Sequence, residues 1–154
     1  MITVDKRELL TKLKKFFIKY GSRVDYVLLF GSLSKNTFTS VSDLDIAIKP
    51  TEGFEEYFEK KLPLIICELA LYLNINEDFI DITILKLDND YSYSFLYNIF
   101  KEGEIIYCRD RRKYIDDLVK VSLKYADYLI QLKKHRAVEK YVKKYTRGRT
   151  WESS

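Results

Sequence analysis

The sequence predicts an α/β domain of the α+β kind: a small mixed β-sheet, helices packed on one face, an acidic site on the other, and a long C-terminal helix. Three observations predict it. Short runs at Val24–Phe30, Asp43–Lys49, Phe79–Leu85 and Glu104–Tyr107 have the length or alternation of strands, and stretches with helical spacing separate them. Within Asp43–Ile48 and Phe79–Ile84 carboxylates alternate with aliphatics, so each strand has an apolar face that can pack and an acidic face that cannot. Finally, helical periodicity runs without interruption over Arg111–Tyr145.

Taken in order, Asp5 with Glu8 three residues on forms a capping-box pattern. Leu9, Leu10, Leu13, Phe16, Phe17 and Tyr20 follow at helical spacing, and Gly21 is the expected stop. The strand Val24–Phe30 comes next, then a sharp turn at Gly31, a polar loop to Val41 and the strand Asp43–Lys49, closed by Pro50. Between Glu52 and Leu73 a helix presents Phe54, Tyr57, Phe58, Ile65, Ile66, Leu69, Ala70 and Leu73 on its apolar side. Pro63 is expected to break or kink it. Asn74–Asp78 reads as a turn before the third strand, whose Asp81 and Thr83 share one face. Lys86–Tyr93 is polar loop, Ser94–Lys101 a short helix ended at Gly103, and Glu104–Tyr107 a short strand. The final helix carries Tyr114, Ile115, Leu118, Val119, Tyr125, Ala126, Leu129 and Ile130 as one apolar stripe. At ~1.5 Å per residue it is about 50 Å long, more than a small domain covers, so it must bend or project. The tail 146–154 is expected to fray.

Composition sets the outer limits. With 154 residues, 47% hydrophobic and 32% charged, and only 5 Gly and 2 Pro, the chain fits one globular domain rather than a disordered one. Its longest apolar run, Leu64–Leu73, is interrupted by Glu68 and falls short of the roughly 18 residues of a membrane span. The N-terminus has no secretory h-region, so a cytoplasmic protein without membrane contact is expected. Cys67 and Cys108, with no CxxC or Cys/His cluster, read as two buried thiols. The net charge of +4 is concentrated beyond Lys133, where a solvated basic face is expected and direct nucleic-acid binding is not. His135, among those cations, reads as a solvated helix residue.

Asp43 and Asp45 point to the same side of their strand. Two adjacent carboxylates resist joint ionisation unless they are solvated or share a cation, and a hard divalent ion, Mg²⁺ first, is the natural partner. The pattern Phe30-Gly31-Ser32, ten residues, then Asp43-Leu44-Asp45 with Ser42 just ahead, resembles the signature of polymerase-beta-type nucleotidyltransferases. The short chain, and Phe100-Lys101-Glu102-Gly103-Glu104-Ile105-Ile106-Tyr107 at the end of the sheet, resemble the minimal nucleotidyltransferase (MNT) antitoxins. The resemblance spans about residues 5 to 110. It implies a nucleotidyltransferase domain over 1–110, with 111–145 a helical extension packed on it. It further implies that Gly31 and Ser32 hold the phosphates of ATP, and that Asp43 and Asp45 hold two Mg²⁺ ions. Asp81 stands where such sites place a third carboxylate, making Asp43, Asp45 and Asp81 the catalytic and metal-binding set. Lys35 adds a positive charge to the nucleotide loop, and Ser42 belongs to the nucleotide-binding residues. The loop departs from the family's common Arg-x-Arg-Gly run: Leu33 supplies no charge, Lys35 lacks the guanidinium fork, and Asn36 stands where a left-handed backbone is needed.

By the same resemblance the expected activity is transfer of AMP from ATP to a hydroxyl, a tyrosine's first, of a partner HEPN-domain ribonuclease toxin. The HEPN pattern of an Arg four to six residues before a His is absent ahead of His135, which makes this chain the antitoxin. Two other functions fit the same fold: a non-catalytic module that neutralises its partner by covering it, and a transferase acting on a small-molecule hydroxyl. A projecting helix has two expected uses, pairing with its own copy as a homo-oligomer or with a toxin.

Overall fold

The computed structural model describes residues 5–31, 43–87 and 92–146. Helix α1 (Lys6–Phe17) tightens into a 3-10 turn (Ile18–Arg23) and enters strand β1 (Val24–Phe30). Strand β2 (Leu44–Pro50), helix α2 (Glu55–Leu73), a single 3-10 turn (Glu77–Phe79) and strand β3 (Ile80–Ile84) follow. Helix α3 (Tyr93–Glu102), strand β4 (Glu104–Cys108) and helix α4 (Arg111–Thr146) complete the chain. The sheet order is β3-β2-β1-β4. β1 is antiparallel to both β2 and β4, and β2 is parallel to β3, which makes the sheet mixed as the sequence predicts.

Alternation sends the two faces of this sheet to different cores. Leu44, Ile46, Ile48, Ile80, Ile82 and Ile84 pack with Val27, Leu29 and Ile106 against the apolar sides of α1 and α2. On the other face Tyr26, Leu28, Ala47 and Leu85 meet Leu96, Ile99 and Phe100 of α3 and Val121 of α4. The α3–α4 pair thus takes part of the face that carries the aspartates. Gly103 joins α3 to β4 because there is no room for a side chain: a Cβ there would overlap the Ile99 carbonyl and lie 3.5 Å from the Leu28 Cβ.

Several sequence expectations need correction. Asp5 sits at the start of α1 with extended backbone, but its side chain caps nothing, so the capping box does not form. Pro63 does not break α2; it lies on an exposed turn of the helix, as does Glu59, whose carbonyl loses its helical partner there. Cys67 is exposed rather than buried, because it falls on the outer side of α2 with its Sγ 3.3 Å from Glu77 Oε2; Cys108 is half-buried, and both are free. The apolar residues of α4 are not one stripe. Tyr114, Leu118 and Val121 pack inward, whereas Ile115, Val119, Leu129 and Ile130 face out. Of the two outcomes expected for α4, projection is the one seen: the helix is continuous over 36 residues, about 54 Å at ~1.5 Å per residue, and from Ala126 onward nearly every residue is exposed. His135 is solvated as expected, with Glu139 3.1 Å away. No helix among the described residues is long and apolar enough to cross a membrane.

At the end of the sheet farthest from Gly31, a buried polar network holds β1, β2 and α4 together. The pairing of β1 with β2 shifts between Val24 and Tyr26, and Asp25, 5% exposed, lies at that shift. Its carboxylate receives Arg109 at 2.8 Å and Lys49 at 3.5 Å, and Lys49 also donates to the Pro50 carbonyl at 2.7 Å. The Tyr26 hydroxyl donates to Asp117 Oδ2 at 2.7 Å, and Lys113 pairs with Oδ1 of the same aspartate at 2.9 Å. Burial first, then the Asp117 charge and hydrogen bond, push the Tyr26 hydroxyl far above its ordinary range and keep it a neutral donor. A cavity of about 750 Å³ opens beside this network, lined by Asp25, Lys49, Arg109 and Lys113 among others. Those four charges already have partners, so the cavity's polar wall serves the fold.

Asp25→Ala leaves the buried Lys49 ammonium with only a carbonyl, and is expected to cost about 3–5 kcal/mol. Arg109→Ala, whose side chain is one-third exposed, is expected to cost about 1 kcal/mol. Urea unfolding of both variants checks the order; equal losses would mean that Asp25 and Lys49 are not a coupled pair.

Candidate active site

The acidic site is built by strand register. Leu44, Ile46, Ile80 and Ile82 turn into the α1–α2 core, which leaves Asp45 and Asp81 on the opposite face. Asp45 and Asp81 are Cα partners across the parallel β2–β3 pair, so their side chains stand abreast about 4.8 Å of backbone spacing apart. Asp43 directly precedes β2, two residues from Asp45, and is exposed. The register thus sets Asp45 beside Asp81, and Asp43 lies near enough for its charge to act on Asp45.

Gly31 approaches from the other side. Phe30, the last residue of β1, is the cross-strand partner of Asp45, and the chain then turns at Gly31 with φ +79°. A Cβ at Gly31 would lie 3.1 Å from the Asp45 Cγ and closer still to its Oδ2. Glycine is therefore required twice, for a left-handed backbone and for the space the carboxylate occupies. Ser32, Lys35 and Ser42, the other expected nucleotide contacts, lie outside the described residues, as do Leu33 and Asn36.

Like charges crowd a partly buried carboxyl here. Burial, then the charge of Asp81, then that of Asp43, push the Asp45 carboxyl up from 3.8 to about 6. An all-oxygen donor set under mutual repulsion fits Mg²⁺, which binds through one or two carboxylates and keeps several waters. The carboxylates are grouped but not closed into a ligand shell: among the described residues no three His, Cys, Asp or Glu side chains converge closely enough to grip an ion as they stand. Asp43 and Asp81 are exposed and free to change rotamer, which is what closure demands. No sequence signal had singled out Asp25, Lys49, Asp117 or Tyr26. Buried charges in otherwise apolar strands, Asp25 beside Val24 and Lys49 after Ile48, were the available clue that partners existed.

The raised pKa of Asp45 carries a stability consequence. Between about pH 4 and 6 the folded protein holds this proton more tightly than the unfolded chain does, so stability falls as pH rises through that window and the penalty is complete above it. Asp45→Asn is expected to raise Tm at pH 7.5 in chelator-treated buffer, with the gain shrinking as pH falls towards 4. Added Mg²⁺ is expected to stabilise the wild type and not the variant. A variant melting below wild type at pH 7.5 would contradict this origin of the shift. Gly31→Ala is expected to destabilise by about 1–3 kcal/mol and to weaken the Mg²⁺-dependent rise in Tm, because it strains the backbone and displaces the Asp45 carboxylate.

Comparison with known proteins identifies a family and a shared fold. The family described as "Polymerase beta, Nucleotidyltransferase" matches residues 11–112. No curated protein sequence is significantly similar to the chain. Three solved structures share its fold over 90% of this chain and 99% of theirs. One is a toxin-antitoxin with AMP-PNP (TM-score 0.62, 17% identity), one a mutant toxin-antitoxin MntA-HpeT (0.61, 15%), and one a tri-AMPylated Shewanella oneidensis HEPN toxin in complex with MNT antitoxin (0.59, 16%). At such identities the likeness is one of fold, and the fold is that of the MNT antitoxins. With the family's match covering about two-thirds of its length, and the paired aspartates and close-approach glycine at the sheet edge, the chain belongs to the polymerase beta nucleotidyltransferase family.

Proposed function

We propose that the protein is a Mg²⁺-dependent protein adenylyltransferase of the MNT antitoxin type, which moves AMP from ATP onto a hydroxyl of a partner HEPN-domain toxin and so silences it. The observation that carries the reading is the registered pair Asp45–Asp81, with Gly31 against Asp45. The solved relatives support it, since they include an AMP-PNP complex and an AMPylated HEPN toxin.

In this reaction the acceptor oxygen forms a bond to the α-phosphorus of ATP. The bond from that phosphorus to the bridging oxygen breaks, and pyrophosphate leaves with the electron pair. Mg²⁺, when bound, supplies the positive charge that offsets the growing negative charge on the phosphate oxygens. Asp43 and Asp45 would hold it, and Asp81 would complete the set beside the acceptor. Asp81, whose side chain is exposed, would also take the acceptor hydroxyl's proton. Backbone N–H groups at the turn that Gly31 makes would suit the phosphate oxygens of the triphosphate. Tyrosine is the acceptor we favour: its hydroxyl stands on a long rigid side chain that can reach a site on an exposed sheet edge.

The test incubates the protein with Mg²⁺, α-labelled ATP and the HEPN-domain protein encoded beside it. Label on the partner with wild type, falling roughly a hundredfold or more in Asp43→Asn/Asp45→Asn, is the expected result. Tight binding with no label, unaffected by the double substitution, would leave a binding module on a transferase fold. Label on small hydroxylated molecules alone would reassign the acceptor.

A further inference from the structure

Helix α4 has two apolar faces, and the domain uses only one. Tyr114, Leu118, Val121 and Tyr125 turn towards the sheet and α3, with the Tyr125 ring stacked 4.3 Å from that of Tyr97. At about 100° per residue, Ile115, Val119, Leu123, Ile130, Tyr141 and Tyr145 fall within an arc of roughly 120° centred about 150° away from that face. All six are exposed, between 45% and 65%. Scattered exposed apolar residues are ordinary, but a stripe aligned along nearly the whole of a 36-residue helix is the mark of a partner surface.

The direction of α4 places that stripe. Its first turns lie at the Asp25 end of the sheet, where Tyr114 packs on Tyr26 with ring centroids 5.2 Å apart. Further along, Tyr128 meets Tyr93 at the start of α3, two residues from Phe95, whose ring packs on Phe30 beside the acidic edge. α4 therefore runs towards the end of the sheet that carries Gly31 and Asp45, and its uncovered half continues past that end.

Charge selects the occupant. Over residues 131–146 the helix carries six Lys or Arg and one acidic residue, Glu139. A second copy would set this cationic half against a surface that is itself net positive over the rest of α4, an unfavourable match. Nucleic acid would satisfy the cations but strand the aliphatic stripe in water. We propose that the outward stripe of α4 docks the acceptor protein of the reaction through an apolar groove edged with Asp and Glu, and so holds its hydroxyl at the Asp45–Asp81 edge. This rests on the adenylyltransferase reading only for the partner's identity. Exposed Tyr rings supply contact area at low entropic cost, and flanking cations speed encounter and set orientation.

The experiment compares wild type, Leu123→Glu/Ile130→Glu and Asp43→Asn/Asp45→Asn for affinity to the HEPN-domain protein encoded beside the chain, by calorimetric titration at two salt concentrations. AMP transfer is measured in parallel, and circular dichroism with Tm checks each fold. Leu123 and Ile130 are at least half exposed, so both substitutions are expected to leave Tm nearly unchanged. The expected result is affinity weakened roughly thirtyfold or more by the stripe variant, normal binding by the aspartate variant, and weaker wild-type binding at higher salt. Lost binding in the stripe variant with no label in any sample would sink the catalytic reading and keep the docking surface. Unchanged affinity and labelling in the stripe variant would overturn the docking surface and keep catalysis. Wild type that forms a dimer without partner, abolished by the stripe substitution, would overturn it in favour of a second copy. Stripe-dependent binding to anionic vesicles or RNA, with none to the HEPN-domain protein, would overturn it as well.

Discussion

The site depends on a packing constraint that works against its own electrostatics. Leu44, Ile46 and Ile48 on β2 and Ile80, Ile82 and Ile84 on β3 must all reach the α1–α2 core, and the period-two strand lets them do so in one register only. Burying six such side chains contributes on the order of 10 kcal/mol. Two carboxylates about 5 Å apart near a surface repel by a few kcal/mol at most. The core wins, and Asp45 and Asp81 are held abreast whether or not a cation relieves them. Burial first, and that repulsion second, hold the Asp45 carboxyl above its ordinary range, a small instability built into the sheet.

The opposite end of the same face solves the reverse problem. There Asp25, Lys49 and Arg109 compensate one another, and Tyr26 joins Lys113 on Asp117. Charges satisfied within the protein fix geometry and have little capacity left for a ligand. Among the described residues the sheet's two polar ends thus differ in sign balance: one is paired and structural, the other like-charged. Between them Tyr26, Leu28 and Ala47 seat α3 and the first half of α4, so the helix that leaves the domain is anchored on the strand that leads to the site.

Much of the fold was legible in the sequence because strand alternation and helix spacing are local patterns. The four strands, the turn at Gly31, the apolar sides of α1 and α2 and the three aspartates all declared themselves in this way. Where local signals misled, a neighbour or solvent decided the matter. Asp5 had the right residue at Glu8 but no cap formed, Pro63 lay on an exposed turn of a helix that continues through it, and Cys67 fell on the outer side of its helix.

The sequence by itself determined which residues bear charge and which strand faces bear them, since alternation follows from the geometry of an extended chain. It also determined that residue 31 is glycine and that the last helix carries more apolar side chains than one face needs. Only the tertiary structure decided that Asp45 stands beside Asp81, that Gly31 is pressed against Asp45, and that Asp25, Lys49 and Asp117 meet their counter-charges. It also decided which apolar face of α4 the domain keeps. These are contacts between segments far apart in the chain, set by how the sheet pairs and what its faces bury, and no local pattern encodes them.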